Sequence, residues 1–143
     1  MAETARVLAE MGVPVKLHLF LDGRDVAPKS ALGQVAELER AVGAAGETAT
    51  VMGRFYGMDR DKRWDRVKLA WDAIVHGIGE KKEILASEAV AETYADQGKT
   101  DEFMPAMVFN DANTQRVRDG DVVLTMGAGS IGGVPASLVR GAA

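Results

Sequence analysis

Cysteine is absent from the sequence, which excludes disulfides, thiolate catalysis and cysteine-ligated metals and agrees with a cytoplasmic protein. Histidine is nearly as scarce. His18 and His76 fall in different elements without ligand spacing, so no metal is expected in this chain. No apolar run approaches the roughly 18 residues of a membrane helix. The first twelve residues carry Glu3 and Glu10 in place of the basic start and apolar stretch of a signal peptide. Positive charge is in deficit, with 17 Lys and Arg against 21 Asp and Glu, which argues against a broad nucleic-acid surface. Only local arginine clusters remain for binding a small anion. Ser30, Ser87 and Ser130 lack a base partner or a nucleophile elbow, so covalent catalysis is not assigned.

What is present suits one globular domain: 143 residues, 47% of them hydrophobic. Good helix formers fill residues 2–11, and Gly12 with Pro14 stops that helix before a mostly buried strand at 15–21. Leu32, Val35, Leu38 and Val42 recur at helical spacing across 29–45, and a second strand follows at 48–52. Residues 53–58 read as a loop. Residues 61–76 read as a helix burying Trp64, Val67, Trp71 and Ile74, and a weaker stripe predicts another helix at 84–97. Short strands are expected at 106–109 and 122–126. Strands alternating with helices predict an α/β fold, a three-layer sandwich with a mainly parallel sheet.

Ligands gather beyond the carboxyl ends of strands in such a sheet. Arg24 and Asp25 follow the first strand and Arg54 follows the second, each arginine after a glycine, Gly23 or Gly53. An arginine fork can hold a phosphate or carboxylate, while a solvated loop arginine is the plainer alternative. Asp25 could orient an arginine, accept a substrate hydroxyl or cap the loop. Arg60, Lys62 and Arg63 cluster at a predicted helix start, where the dipole disfavours cations. Either Asp59 and Asp61, or a bound phosphate, would offset that charge; a solvated charge run is the alternative.

Two segments carry a family likeness: His18-Leu19-Phe20-Leu21-Asp22-Gly23-Arg24-Asp25-Val26-Ala27-Pro28-Lys29-Ser30-Ala31 and Gly53-Arg54-Phe55-Tyr56-Gly57-Met58-Asp59-Arg60-Asp61-Lys62-Arg63-Trp64, with Thr100-Asp101-Glu102-Phe103 downstream. They resemble the substrate-binding domain of cofactor-independent phosphoglycerate mutases over residues 5–123. The resemblance implies an isomerase that interconverts 3-phosphoglycerate and 2-phosphoglycerate in glycolysis and gluconeogenesis. It also implies a usually monomeric parent with two manganese ions and a phosphorylated serine on a separate domain. Arg24, Asp25, Arg54 and Arg60 would bind substrate. The chain would then be a domain truncated at both ends, inactive alone, with a non-catalytic phosphate-binding module as the alternative. The stretch 119–140 resembles the C-terminal end of UDP-N-acetylmuramate alanine ligase, which makes 124–143 a loosely packed, non-family tail. Its Gly127-x-Gly129-x-x-Gly132 invites a nucleotide reading, but Pro135 intrudes and no acidic residue follows at the required distance.

Overall fold

The structure, a computed structural model, describes residues 1–96, 98–111, 116–124 and 126. The Gly-rich motif at 127–132, and most of the stretch likened to the ligase, lie outside the described residues. Helix α1 (Ala2–Glu10) ends at Gly12, whose φ of +76° a glycine adopts without strain. Strand β1 (Lys16–Leu21) alternates strictly: Leu17, Leu19 and Leu21 are buried, while His18 is half-buried and Phe20 exposed. Helix α2 (Ala31–Val42) buries Ala31, Val35 and Val42, and a 3-10 turn, Gly43–Ala45, leads into β2 (Glu47–Gly53).

A four-residue helical turn, α3 (Arg54–Gly57), directly follows β2, where a loop was expected. Helix α4 (Trp64–Trp71) continues into a π turn, Asp72–His76. It begins three residues later than expected, because Lys62 takes a φ of +57° and Arg63 a non-helical ψ of 81°. Strand β3 (Glu80–Lys82), helix α5 (Ala86–Asp96), a 3-10 turn (Asp101–Phe103) and β4 (Met107–Phe109) follow. Residues 122–124 form no strand, contrary to expectation.

The sheet order is β1-β2-β4-β3. β1 and β2 are parallel, as are β3 and β4, whereas β4 runs antiparallel to β2. Alternation of the strands then builds two cores. On one face Leu17, Leu19, Val51, Met107 and Phe109 pack with residues of α1, α2 and α5. On the other, Met52 and Val108 meet Ala70 and Ala73, with Ile74 beside them. Helices therefore cover both faces, which is the expected three-layer arrangement.

The buried stripe of the fourth helix differs from expectation. Trp64 and Trp71 are 72% and 51% exposed, and small Ala70 and Ala73 take the inward positions. Alanine at these positions lets the helix axis come close to Met52 and Val108, and the tryptophans, related by two turns, lie on the other side.

Candidate functional site

Because β4 runs opposite to β2, its amino end lies at the same edge as the carboxyl ends of β1 and β2. The Asp101–Phe103 turn therefore meets both arginine-bearing segments. The Gly53 N–H donates to the Met104 carbonyl at 2.9 Å. A Cβ on Gly53 would lie 2.1 Å from the Glu102 carbonyl oxygen, and one on Gly23 would lie 2.6 Å from Asp101 Cβ and 2.8 Å from the Glu102 nitrogen. The same two residues thus exclude a side chain at both glycines. Gly23 also has a φ of +65°. The requirement is mainly room for a crossing backbone, beyond the turn geometry that sequence alone suggests.

Arg54 opens α3 and is only 8% exposed, so the picture of a solvated loop arginine is wrong for it. Its Nη1 donates to Asp25 Oδ2 at 2.7 Å and also to Asp22 Oδ1. Asp22 Oδ1 further accepts the backbone N–H groups of Arg24 (3.3 Å) and Asp25 (3.2 Å), which shapes the turn after β1. Partial burial pushes the Asp22 carboxyl up, but the Arg54 bond, the two amides and the nearby charge outweigh it and hold it below the usual carboxylate range. The hydrogen bonds from Arg54 to Asp25 and Asp22 in turn raise the guanidinium. Asp25 remains 72% exposed at its side chain, and Arg24 is exposed, its guanidinium making no hydrogen bond or ion pair among the described residues.

Arg60 follows in the irregular segment between α3 and α4. It is exposed and, among the described residues, makes no hydrogen bond or ion pair. Asp59 organises this segment: its Oδ2 accepts the N–H groups of Asp61 (3.1 Å) and Arg63 (2.8 Å). The conflict with the helix dipole dissolves, since Arg60 and Lys62 precede the helix, Asp65 occupies its first turn and Arg63 pairs with Asp65 at 3.3 Å. The dipole argument for a bound phosphate at α4 loses its basis. Of the four site residues expected from sequence, the structure joins Asp25 to Arg54, sets Arg24 on the same turn as Asp25, and gives Arg60 no hydrogen bond or ion pair with the others.

Two participants were not singled out from the sequence. Asp22 holds Arg54 and the turn together, yet it sits in the motif as an unremarked loop residue. Asp101 is fully buried and accepts the Ala31 N–H at 3.0 Å at the start of α2, the Ser30 hydroxyl at 3.5 Å and the Tyr94 hydroxyl. Burial and this carboxylate push the Tyr94 phenol well above its ordinary value. Only the Thr100-Asp101-Glu102-Phe103 resemblance hinted at Asp101.

Among the described residues no three His, Asp or Glu side chains are placed to hold a metal. A cavity of about 500 Å³ opens at the opposite edge of the sheet. Its charged lining consists of Glu39, Glu47, Glu83 and Glu88, which suits no anion.

Residues 1–127 match the family model described as BPG-independent PGAM N-terminus. The chain is 53% identical over 116 residues to the 2,3-bisphosphoglycerate-independent phosphoglycerate mutase of Akkermansia muciniphila, covering 80% of this chain and 22% of that protein. It is 51% identical over 116 residues to the enzyme of the same name from Acetivibrio thermocellus, covering 79% and 21%. Among solved structures it is similar to Leishmania mexicana phosphoglycerate mutase at low cobalt concentration, with a TM-score of 0.68 and 26% identity over 80% of this chain and 22% of that one. The chain spans about a fifth of the length of the curated relatives it matches.

Proposed function

The chain belongs to the BPG-independent phosphoglycerate mutase family, matching its N-terminal region, and on that premise we propose that it supplies part of the clamp holding 3-phosphoglycerate and 2-phosphoglycerate. The intact mutase would be an isomerase of glycolysis and gluconeogenesis. Its serine and two manganese ions would belong to another domain, and the 143 residues by themselves would turn over no substrate.

The observation that carries this reading is the Asp22–Arg54–Asp25 cluster at the ends of two parallel strands. Arg54 commits Nη1 to two carboxylates, so its guanidinium is fixed before any ligand arrives, and the donors on Nε and Nη2 define a flat edge for an oxyanion. Asp25, largely exposed, can accept a hydroxyl of the glycerate while Arg54 holds it in place. The Asp22–Arg54–Asp25 cluster carries one net negative charge, and the exposed Arg24 and Arg60 carry two positive ones, which leaves these five residues one net positive charge. A non-catalytic phosphate-binding module would use the same residues.

Isothermal titration of the chain with 3-phosphoglycerate tests the clamp. Arg24→Ala and Arg60→Ala should each weaken binding by on the order of tenfold, the loss of a charge-assisted contact. Lys68→Ala, at a 70% exposed side chain paired with Asp72, should change it by less than about twofold. Equal effects from all three variants would remove the arginines from the site. Turnover of 3-phosphoglycerate by the purified chain would overturn the assignment of the chemistry to another domain.

A further inference from the structure

Arg66 lies on α4, outside every segment that carries a candidate ligand, yet its guanidinium is held from two sides. Its Cζ stands 4.0 Å from the centroid of the Phe55 ring, and its Nη1 donates to Asp59 Oδ1 at 3.4 Å. The Asp59 side chain is 2% exposed, and its other oxygen is the one that holds the Asp61 and Arg63 amides. A carboxylate so buried is costly without a cation, and Arg66 is its ion-pair partner. Phe55 is itself packed, edge-on to Tyr56 and tilted against Phe103, each at 5.1 Å between centroids. Only a flat guanidinium can lie on the ring and pair at its rim in one pose; an ammonium is a compact point charge.

Phe55 directly follows Arg54, and Asp59 directly precedes Arg60. Between α3 and α4 the chain has no helical ladder to hold it, and Lys62 stands at a φ of +57°. We propose that Arg66 is a positioning residue that fixes Arg60 relative to Arg54 by clamping Phe55 and Asp59 together. The proposal rests on the reading of Arg54 and Arg60 as contacts to phosphoglycerate. Arg66 itself touches no ligand in this arrangement. Its contribution is to remove the freedom of the 59–63 segment before the anion arrives, so that Arg60 pays less ordering entropy on binding.

The test titrates the 143-residue chain with 3-phosphoglycerate, unaltered and as Arg66→Gln, Arg66→Lys, Arg60→Ala and the double Arg66→Gln/Arg60→Ala variant. Amide hydrogen exchange at Asp61 and Arg63 is read on the same samples by NMR, with Val51 as the report on the intact core. Arg66→Gln should weaken binding by roughly as much as Arg60→Ala, on the order of tenfold. The double variant should bind no more weakly than Arg60→Ala alone, and both loop amides should exchange faster while Val51 does not. Arg66→Lys should behave as Arg66→Gln does. Should Arg66→Gln fail to fold, Phe55→Leu, which removes the ring and leaves the ion pair, carries the same comparison. Additive losses, full rescue by lysine, or unchanged exchange at both amides would overturn the proposal. If the unaltered chain does not bind 3-phosphoglycerate, the clamp reading falls; faster loop exchange then upholds the brace, and unchanged exchange overturns it.

Discussion

Replacing Gly53 by alanine isolates close backbone approach from conformational freedom. Gly53 has φ −77° and ψ 156°, an extended conformation open to any residue, so the substitution brings no torsional strain. Space is the obstacle. The added methyl would lie 2.1 Å from the Glu102 carbonyl oxygen, 2.5 Å from that of Asp101 and 2.6 Å from the Glu102 carbonyl carbon. All three are backbone atoms, so no side-chain rotation relieves the contact, and the 101–103 turn must move by about 1 Å from the end of β2 to restore ordinary contact. That movement works against the Gly53–Met104 hydrogen bond and the packing of Met104, which is fully buried. Overpacking of this kind costs about 1–3 kcal/mol. Gly33 is the control: it lies inside α2 with nothing within 4 Å of its would-be Cβ, so Gly33→Ala should stabilise by about 0.5–1 kcal/mol through helix propensity. Urea unfolding should place the two variants on opposite sides of the unaltered chain at equal m-value. A Gly53→Ala midpoint at or above that of the unaltered chain would refute the argument from close approach.

Burial lowers the His18 imidazole below its ordinary 6.5, so the unfolded chain takes up the proton more readily than the folded one. Stability should therefore fall as pH drops below about 6.5, by up to about 1.4 kcal/mol per unit, and urea midpoints of His18→Gln should lose that slope. Asp101→Ala should cost about 3 kcal/mol by leaving the Ala31 amide and the Tyr94 hydroxyl without their acceptor. In the same variant an ultraviolet titration should show the Tyr94 phenol returning toward 10.0, and an unmoved phenol would contradict its stated cause. Trp64→Ser should shift stability by no more than about 0.5 kcal/mol, whereas Phe109→Ala, at 1% exposure, should cost about 3–5 kcal/mol; comparable losses would mean that the outward face of α4 is covered.

Helix and strand periodicity made most elements legible before the structure: α1, β1, α2, β2, α5 and β4 appear within a few residues of their expected bounds. The parallel pairing of β1 with β2 also followed from strand-helix-strand order. Periodicity failed where another force chose the register. In α4 the spacing of Trp64, Val67, Trp71 and Ile74 fits an apolar stripe, but close packing selected the alanines. In β3 the run Glu80-Lys81-Lys82 carries no apolar signal, because its place at the sheet's edge leaves its side chains largely to water. The reversal of β4 was invisible for a different reason: strand direction depends on long-range pairing, and Met107-Val108-Phe109 reads the same in either sense. That reversal is what brings Asp101 to the arginine-bearing segments, so the third component of the site stayed hidden with it.

The depth at which each arginine sits decides what its replacement can report. Arg54 is nearly buried, and a guanidinium in that position must be paired to offset lost hydration, a need that Asp22 and Asp25 meet. Removing it strips two carboxylates of their partner and loosens the turn that Asp22 shapes, so a loss of ligand binding in Arg54→Ala would mix stability with recognition. Arg24 and Arg60 are exposed and hydrated, and each neutralises no carboxylate among the described residues. Their replacement should leave the unfolding free energy within about 0.5 kcal/mol of that of the unaltered chain. Whatever affinity they lose for an anion is then a loss of direct attraction, and it should shrink as salt rises, since exposed charges are screened over about 8 Å at physiological ionic strength. A salt-independent loss at Arg24 or Arg60 would mean that these residues act through the fold, and the proposed clamp would have to be rebuilt around Arg54 alone.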